Sequence, residues 1–510
     1  MTRRLERVLK SSDTLARLGG DEFGLLLGEV SPDLLPRLCG RLLSTLREPF
    51  DLGPAAPATI RISGSLGIVL FPDDPSDPET LLAHADLALY RAKGRGRDTW
   101  SLFERAMEER AREAQTIREE FSRALASGEL VLHYQPQVDL HSGRIAGVEA
   151  LVRWNHPVKG LLPPAAFIEV VESSNLTASL GQWVLSEALA QQDRWRAKGL
   201  SIRMSVNIGA RHFLSEDFLS SLREIPALKT RRDDPEAPEI LIEIPESEIL
   251  RDPVRARRGI DGCRTLGLLV SLDDFGTGQA SIRTLQELAI DEVKIDRSFI
   301  RNLMEDPKDL AVVANLLRTA RMLLIRPVAK GAESESEGQI LAHLGCPVLQ
   351  GSVLSLPLPA EEIPGWIASF RSAASWTEAI RWPEFDMEEL SLLMVARAAR
   401  DLCRRLPHDP EEVAGWTEWA RAQDRCLVCR WIDYTLKLLG EKAGDDFEAA
   451  RTVHDLFHQR LLESVLSPEG WDPGKVLGHL DELGRLGEEV VDRILGLCGK
   501  TAQNLSRSLL

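Results

Sequence analysis

Hydrophobic and polar positions follow three patterns along the chain, and each pattern predicts a different architecture. Residues 1–104 mix short apolar runs, such as "FGLLLGEV" and "IRISGSLGIVLF", with one helical stretch. Residues 121–371 alternate short apolar runs with longer helical segments, and residues 384–505 are helical in pattern almost throughout. We therefore expect a multidomain α/β plus α protein with a partial α/β sheet domain, a (β/α)8 barrel and a C-terminal helical bundle.

The segment "ERAMEERAREAQTIREEFSRAL" contains no glycine or proline and predicts a linker helix over residues 105–120. Met107, Ala114 and Phe121 recur on it every seven residues. This spacing is typical of a coiled-coil seam between two chains, which predicts a homodimer. It is also, and more commonly, typical of a helix that packs on its neighbouring domain.

The barrel is predicted from eight apolar runs that alternate with helical segments. The runs are "LVLHYQPQV", "IAGVEALVRW", "IRMSVNI", "EILIEI", "LLVSLDDF", "DEVKID", "IRPVAK" and "PVLQG". Most of them end in, or run into, a polar residue: Glu149, Asn207, Glu243, Asp273, Lys294, Lys330 and Gln350. The C-terminal ends of barrel strands converge on one mouth, where active sites lie. Carboxylates that meet there repel each other, so this mouth is expected to hold divalent metal.

Composition excludes some classes of partner. The chain has 510 residues and a net charge of -16, which argues against a nonspecific nucleic-acid binder. No apolar run approaches the roughly 18 residues that cross a bilayer, and no secretory apolar core is present, so we expect a cytoplasmic protein without a membrane span. Seven scattered cysteines favour reduced thiols over a disulfide framework.

The stretch "ARLGGDEFGLLL" resembles the signature of the GGDEF family, which condenses two GTP molecules into cyclic di-GMP. Gly19 and Gly20 permit a tight hairpin, and Asp21 and Glu22 can hold a metal or the guanine. Only about eighteen residues precede the motif, where the family has its first strand and a further metal-binding Asp. The resemblance therefore implies a truncated domain over residues 1–104 without diguanylate cyclase activity. A misplaced start codon would look the same.

Residues 121–360 resemble the EAL family, which linearises cyclic di-GMP by metal-assisted attack of water on one phosphodiester. The matching motifs are "YQP", "EALVRW", "VNIG", "IEIPESE", "DDFGTG", "KIDRSFI" and "QG". The resemblance implies bacterial cyclic di-GMP signalling, with Mg²⁺ or Mn²⁺ as the cofactor of the barrel.

The resemblance also implies roles for individual residues. The metal ligands would be Glu149, Asn207, Glu243, Asp273 and Asp274. The ligand would be held by Gln135, Arg153 and Gln350, with Asp296 lining the second metal position. Lys294 would stabilise charge on the attacking water or the phosphate, and Glu246 would anchor the loop that carries "DDFGTG".

One residue departs from the family pattern at the catalytic centre. The family sequence "AEGVE" is "AKGAE" here, so Lys330 replaces a catalytic Glu while Glu333 keeps the second one. An ammonium group donates hydrogen bonds and cannot act as a metal ligand, and carboxylates around it keep it charged. We expect Lys330 to pair with Asp274 or Asp296 in place of the second metal. An outward-facing side chain that pairs with Glu333 is the alternative.

Three functions follow from these residues, and whether the protein is an enzyme stays open. The first is a cyclic di-GMP receptor that hydrolyses its ligand poorly or not at all, because loss of a general base costs on the order of 10² to 10⁴ in rate. The second is an active phosphodiesterase that makes linear pGpG. The third is a regulator that acts through a protein partner alone, and the retained Gln135, Arg153 and Gln350 argue against it.

The C-terminal region contains a candidate zinc site. His454 and His458 lie four residues apart on a predicted helix and face one side, and Cys426 is a possible third ligand. The pattern resembles the chemoreceptor zinc-binding bundle, although the early His of that family is missing and Cys429 stands at its Gly. Surface histidines beside a buried thiol are the alternative.

Overall fold

The computed structural model divides the chain into two compact units, Met1–Phe121 and Ser122–Leu510. It describes residues 1–28, 30–50, 59–231, 234, 236–278, 282–379, 387–404, 426–439, 447, 449, 451–456, 459, 485–486 and 488–493. None of the helices in these ranges combines the length and the apolar character that a membrane crossing requires.

The first unit is a small mixed α/β domain. Its strands are β1 (Thr14–Gly19), β2 (Glu22–Leu26), β3 (Leu66–Ile68) and β4 (Trp100–Leu102). Its helices are α1 (Thr2–Glu6), α2 (Leu35–Arg47) and α3 (Pro78–Gly94), and α4 (Arg105–Ser127) follows. β1 and β2 form an antiparallel hairpin, and Gly20 in its turn has a φ of 48°, a left-handed conformation that favours glycine. The predicted hairpin therefore forms at the Gly-Gly-Asp-Glu string.

The second unit contains a closed barrel of eight strands. The strands of this unit are β5 (Leu130–Asp139), β6 (Arg144–His156), β7 (Gly160–Leu162), β8 (Met204–Asn207), β9 (Ile240–Pro245), β10 (Leu269–Phe275), β11 (Glu292–Ile295), β12 (Arg326–Lys330), β13 (Val348–Gln350) and β14 (Leu358–Pro359). β5 pairs with both β13 and β6, which closes the sheet, while β7 and β14 lie outside the ring. All eight predicted runs are barrel strands, so the predicted barrel is confirmed.

One barrel strand runs against the others. β5 is antiparallel to β6 and to β13, whereas β6 and β8 to β13 pair in parallel with their neighbours. Only residues 140–143 connect β5 to β6, and so short a connection makes a hairpin, because a parallel crossover needs a dozen or more residues. The predicted barrel had all eight strands in a common direction, which is wrong for β5. Gln135 therefore reaches the barrel interior from mid-strand, opposite Glu149.

Helices follow most of the parallel strands. They are α5 (Ile168–Glu172), α6 (Thr177–Arg196), α7 (Ala210–Phe213), α8 (Phe218–Arg223), α9 (Pro226–Arg231), α10 (Glu246–Ile249), α11 (Pro253–Thr265), α12 (Ile282–Glu287), α13 (Arg297–Arg301), α14 (Pro307–Met322), α15 (Glu335–His343), α16 (Ile363–Ser369) and α17 (Ala374–Ala379). Both α11 and α14 begin at a proline that follows an aspartate. Asp252 and Asp306 accept hydrogen bonds from the first-turn backbone of these helices, which fixes where each one starts.

The described C-terminal residues are helical, as predicted. α18 (Met387–Arg404) and α19 (Leu427–Leu439) pack against each other, and residues 451–456 form a further helical segment. α19 also packs against α14 of the barrel. Met394 and Trp431 belong to the same buried apolar cluster as Leu310 and Leu317 of α14. These helices thus share a core with the barrel.

Candidate functional site

A fully buried lysine lies at the centre of the barrel mouth. Lys294 on β11 has no exposed side-chain surface, and its Nζ donates to Glu149 Oε2 at 2.8 Å. The same ammonium forms an ion pair with Glu243 on β9, which is also fully buried. Leaving a buried charge without a partner costs several kcal/mol, so the lysine and the two glutamates depend on one another.

The charges at this position shift one another's pKa values. Burial alone would lower the pKa of Lys294, but Glu149, Glu243 and Asp273 outweigh burial and raise it. Burial opposes ionisation of Glu149, yet Lys294 and Lys330 lower its pKa to about 2. Burial and the charge of Glu149 raise the pKa of Glu243 to about 8. The site therefore keeps Glu149 ionised. Ionisation of Glu243 is disfavoured, and a further positive charge beside it would favour the ionised form.

An amide network holds the Glu149 carboxylate from its other side. Asn207 donates to Glu149 Oε1 at 2.7 Å, and Gln350 donates to Glu149 Oε2 at 2.6 Å. Gln350 also donates to Gln135 at 3.0 Å and accepts from Gln137 at 2.9 Å. Gln137 was not among the residues predicted for this site. Its position two residues after Gln135 on one strand put both side chains on the same face, and that was the available signal.

Lys330 points into the mouth and binds two adjacent carboxylates. Its Nζ donates to both oxygens of Asp273, at 2.7 and 2.6 Å, and to Asp274 Oδ1 at 3.1 Å. Its side chain is 25% exposed, compared with 0% for Lys294. Burial acts to lower the pKa of Lys330, but Asp273 and Glu149 raise it, so the group is an ammonium at every physiological pH.

The partners of Lys330 differ in part from the expected ones. Asp274 is a partner, but the closer contacts are to Asp273, which was predicted only as a metal ligand. Asp296 instead accepts a hydrogen bond from the backbone of Ser298 at 2.9 Å and begins α13.

Glu333 lies outside this cluster. Its carboxylate accepts a hydrogen bond from Arg301 at 2.9 Å, and both side chains are more than half exposed. Lys330 therefore does not take the outward-facing alternative. Arg153 is half-buried on β6, where its guanidinium donates to the Val152 carbonyl at 2.9 Å, and burial lowers its pKa.

Glu246 contacts the loop that follows β10. Its Oε2 accepts hydrogen bonds from the backbone of Gly276 at 2.9 Å and of Gly278 at 3.4 Å. A Cβ at position 278 would lie 2.7 Å from Glu246 Oε1, so only glycine fits there without a shift. Asp274, the last residue but one of β10, has a φ of 55°, a conformation that few residues other than glycine adopt. Gln279 and Ala280, which directly follow the "DDFGTG" motif, lie outside the described residues.

The donor set fits one divalent ion better than two. Glu243 Oε2 is buried without a hydrogen-bond partner among the described residues, and Oε1 contacts the Lys294 ammonium, so Glu243 can still serve as a metal ligand. Glu149 and Asn207 supply neighbouring oxygens of the kind that Mg²⁺ or Mn²⁺ prefers. Asp273 and Asp274 would join a metal only by releasing the Lys330 ammonium.

A separate group of metal-ligand side chains lies in the C-terminal helices. Cys426, Cys429 and His454 offer ligand atoms that all lie within 4.8 Å of one another. The structure therefore brings together two of the three predicted zinc ligands, Cys426 and His454. The third, His458, lies outside the described residues. Cys429 was missed, although Cys-x-x-Cys spacing was the available signal.

Comparisons with known proteins agree with this architecture. A family model for the EAL domain matches residues 118–357, and one for the diguanylate cyclase GGDEF domain matches residues 1–99. The bifunctional diguanylate cyclase/cyclic di-GMP phosphodiesterase MucR of Pseudomonas aeruginosa is 36% identical over 366 residues, which is 72% of this chain and 52% of the relative. The cyclic di-GMP phosphodiesterase PdeR of Escherichia coli is 34% identical over 366 residues, 72% of this chain and 54% of the relative.

A solved structure of PaMucR phosphodiesterase in a c-di-GMP complex is 36% identical and covers 49% of this chain and 99% of that one, with a TM-score of 0.46. The chain spans about half the length of the curated relatives it matches. The two family models together match more than half of the chain. It therefore carries a GGDEF domain over residues 1–99, followed by an EAL domain over residues 118–357.

Proposed function

We propose that the barrel binds cyclic di-GMP and hydrolyses it poorly or not at all. The observation that carries this proposal is the contact of the Lys330 ammonium with both oxygens of Asp273 and with Asp274. The ammonium has no lone pair, so it can neither accept a proton from water nor bind a metal. It also occupies Asp273 and Asp274, two of the carboxylates that divalent metals would need.

The ligand-holding side of the mouth supports binding. Gln135 and Gln350 are hydrogen-bonded to each other, and Gln350 also contacts Glu149, so these amides are held in defined positions. Arg153 lies on the same strand as Glu149, four residues later and on the same face. Its guanidinium suits a phosphate group of the ligand.

The positive charge of Lys330 also supports binding of cyclic di-GMP without its hydrolysis. Compared with a glutamate, a lysine at position 330 makes the mouth less negative by two charges, which reduces its repulsion of a dianionic ligand. We expect one Mg²⁺ or Mn²⁺ ion at most, held by Glu149, Asn207 and Glu243. Such an ion would polarise a phosphate oxygen of the ligand. Lys294 would stay charged beside it and stabilise negative charge.

An active phosphodiesterase is the second candidate. The group of Glu149, Lys294 and Glu243 is complete and supports it, because it retains the charges that surround the first metal position. The proteins MucR and PdeR carry phosphodiesterase in their names. Slow hydrolysis would then need another group to take the proton from water.

The first unit and the C-terminal helices have proposed properties of their own. We expect no diguanylate cyclase activity from the first unit, a homodimer, and a cytoplasmic location. A protein partner that reads the ligand-bound state would convert binding into a signal. Zinc in the C-terminal helices is a separate part, which the proximity of Cys426 and His454 supports.

The test compares three forms of the full chain in Mg²⁺ or Mn²⁺: the unaltered protein, Lys330→Glu and Lys330→Met. Calorimetry measures binding of cyclic di-GMP, and chromatography measures linear pGpG. We expect binding without product in the unaltered protein and a rate on the order of 10² to 10⁴ higher in Lys330→Glu.

Lys330→Met is the matched control, because it removes the ammonium without adding a carboxylate. It is expected to bind the ligand without making product. Product from the unaltered protein at a rate similar to that of Lys330→Glu would contradict the proposal and favour the active phosphodiesterase. Absence of binding in all three forms would favour a regulator that acts by protein contacts alone.

A further inference from the structure

Two cysteines and a histidine form a compact group where α19 begins. Cys426 directly precedes α19, and Cys429 is the third residue of that helix. His454 lies in the helical segment 451–456. Its Nε2 is 3.5 Å from Cys426 Sγ and 3.3 Å from Cys429 Sγ. The imidazole therefore faces both sulfurs at once.

These separations match those of metal ligands. In a tetrahedral zinc site, Zn–S and Zn–N bonds of about 2.3 and 2.0 Å place a sulfur and a nitrogen about 3.5 Å apart. Both observed separations lie close to that value. Cys426 and His454 are also buried, with exposed fractions of 0% and 3%, so an ion there would be shielded from competing ligands. Cys429 is half-buried, which leaves one side for a fourth ligand or water.

We propose that Cys426, Cys429 and His454 bind one zinc ion, and that its occupancy changes the affinity of the barrel for cyclic di-GMP. The second part rests on the proposed function. Thiolate and imidazole ligands favour zinc over Mg²⁺ or Mn²⁺, so the two metal sites of the chain take different ions.

A short path of contacts leads from this site to the barrel. Trp431 lies two residues after Cys429, is fully buried, and donates from its indole Nε1 to the Met304 carbonyl at 3.2 Å. Met304 lies between α13 and α14. A metal that holds the start of α19 would therefore hold Trp431 and the segment that it contacts.

The same segment continues into the barrel mouth. Asp296 begins α13 directly after the strand of Lys294. Arg297, the first residue of α13, lies so close to Gly331 that a Cβ added to the glycine would be 2.5 Å from the Arg297 Cβ. Gly331 follows Lys330. A shift of α13 would thus be transmitted to the position of Lys330.

The metal site is tested on the full chain after chelation and reduction. Co²⁺ is the spectroscopic probe, because cobalt bound to thiolates has a strong sulfur-to-metal band in the near ultraviolet, and Zn²⁺ is then added in competition. We expect one ion per chain, and binding at least on the order of 100-fold weaker in Cys429→Ala. Cys263→Ala is the matched control, since it removes a buried thiol from α11 and is expected to bind as the unaltered protein does.

A second measurement needs no variant. Alkylation followed by mass spectrometry should show that Zn²⁺ protects Cys426 and Cys429 while labelling of the other cysteines is unchanged. Equal affinity in Cys429→Ala and the unaltered protein would overturn this ligand set. Absence of the cobalt–sulfur band from the reduced unaltered protein would overturn the metal site, and a disulfide between Cys426 and Cys429 would then assign the pair to redox chemistry.

The coupling is tested by calorimetry with cyclic di-GMP on zinc-loaded and zinc-free protein. We expect the Kd to change on the order of tenfold, and the zinc affinity to change by the same factor when the ligand is bound. Trp431→Phe keeps an aromatic side chain but lacks the indole donor to Met304, so it should bind both ligands with the coupling reduced. Equal Kd values with and without zinc would overturn the coupling. Failure of both forms to bind cyclic di-GMP would overturn the proposed function and the coupling, whereas the cobalt spectrum decides the zinc site by itself.

Discussion

Two lysines on neighbouring strands of the barrel are held by carboxylates in different ways. Lys294 on β11 is fully buried between Glu149 and Glu243, whereas Lys330 on β12 is 25% exposed and contacts two consecutive aspartates. Lys294 is one member of a buried group whose charges require one another. Lys330 contacts one buried aspartate, Asp273, and one half-exposed aspartate, Asp274, so water reaches only part of this group. We therefore expect a change of charge to be tolerated better at the edge of this site, at position 330, than at its centre, at position 294.

The largest expected effect is on the free energy of unfolding, when the ammonium of each lysine is removed in turn. Lys294→Met leaves two buried glutamates without their shared cation and should destabilise the barrel by about 3–5 kcal/mol. Lys330→Met leaves a pair of aspartates that solvent reaches through the half-exposed Asp274, and it should cost less, about 1–2 kcal/mol. Urea unfolding of both variants, followed by far-ultraviolet circular dichroism, measures the order. Equal losses would mean that the two lysines have equivalent surroundings.

The stability that the Glu149 carboxylate contributes through the two lysines should depend on pH. Its pKa falls from 4.5 in the unfolded chain to about 2 in the fold, because Lys294 and Lys330 favour the ionised form. Glu149 thus stabilises the fold above pH 4.5, and this contribution is lost as the pH falls from 4.5 towards 2. The stability advantage of the unaltered protein over Glu149→Gln should therefore shrink across that range. Urea midpoints at several pH values measure it, and a constant advantage would contradict this account.

The smallest effect is expected at the exposed pair of Arg301 and Glu333. Both side chains are more than half exposed, so solvent screens their attraction. Arg301→Ala should leave both the unfolding midpoint and the affinity for cyclic di-GMP unchanged within error. A clear loss of affinity would mean that Glu333 acts on the ligand, which would give position 333 a role beside Lys330.

Much of the barrel could be predicted because its strands are short apolar runs with polar residues at their ends. Eight runs in the sequence correspond to eight barrel strands, and the polar residues of the seven parallel strands meet at one mouth. The direction of β5 was missed because apolar periodicity contains no information on strand direction. The four-residue connection to β6 does contain it, because it is too short for a parallel crossover.

The sequence by itself determined the residue types at the mouth, including the lysine at position 330. It also showed that this lysine would stay charged among carboxylates. Only the tertiary structure decided which carboxylates it contacts, because Asp273, Asp274 and Asp296 all lie near it along neighbouring strands. Only the tertiary structure, likewise, decided that the Cys429 sulfur lies beside the ligand atoms of Cys426 and His454. Spacing along one helix limits which side chains share a face, but the partner from another helix is selected by packing between the two.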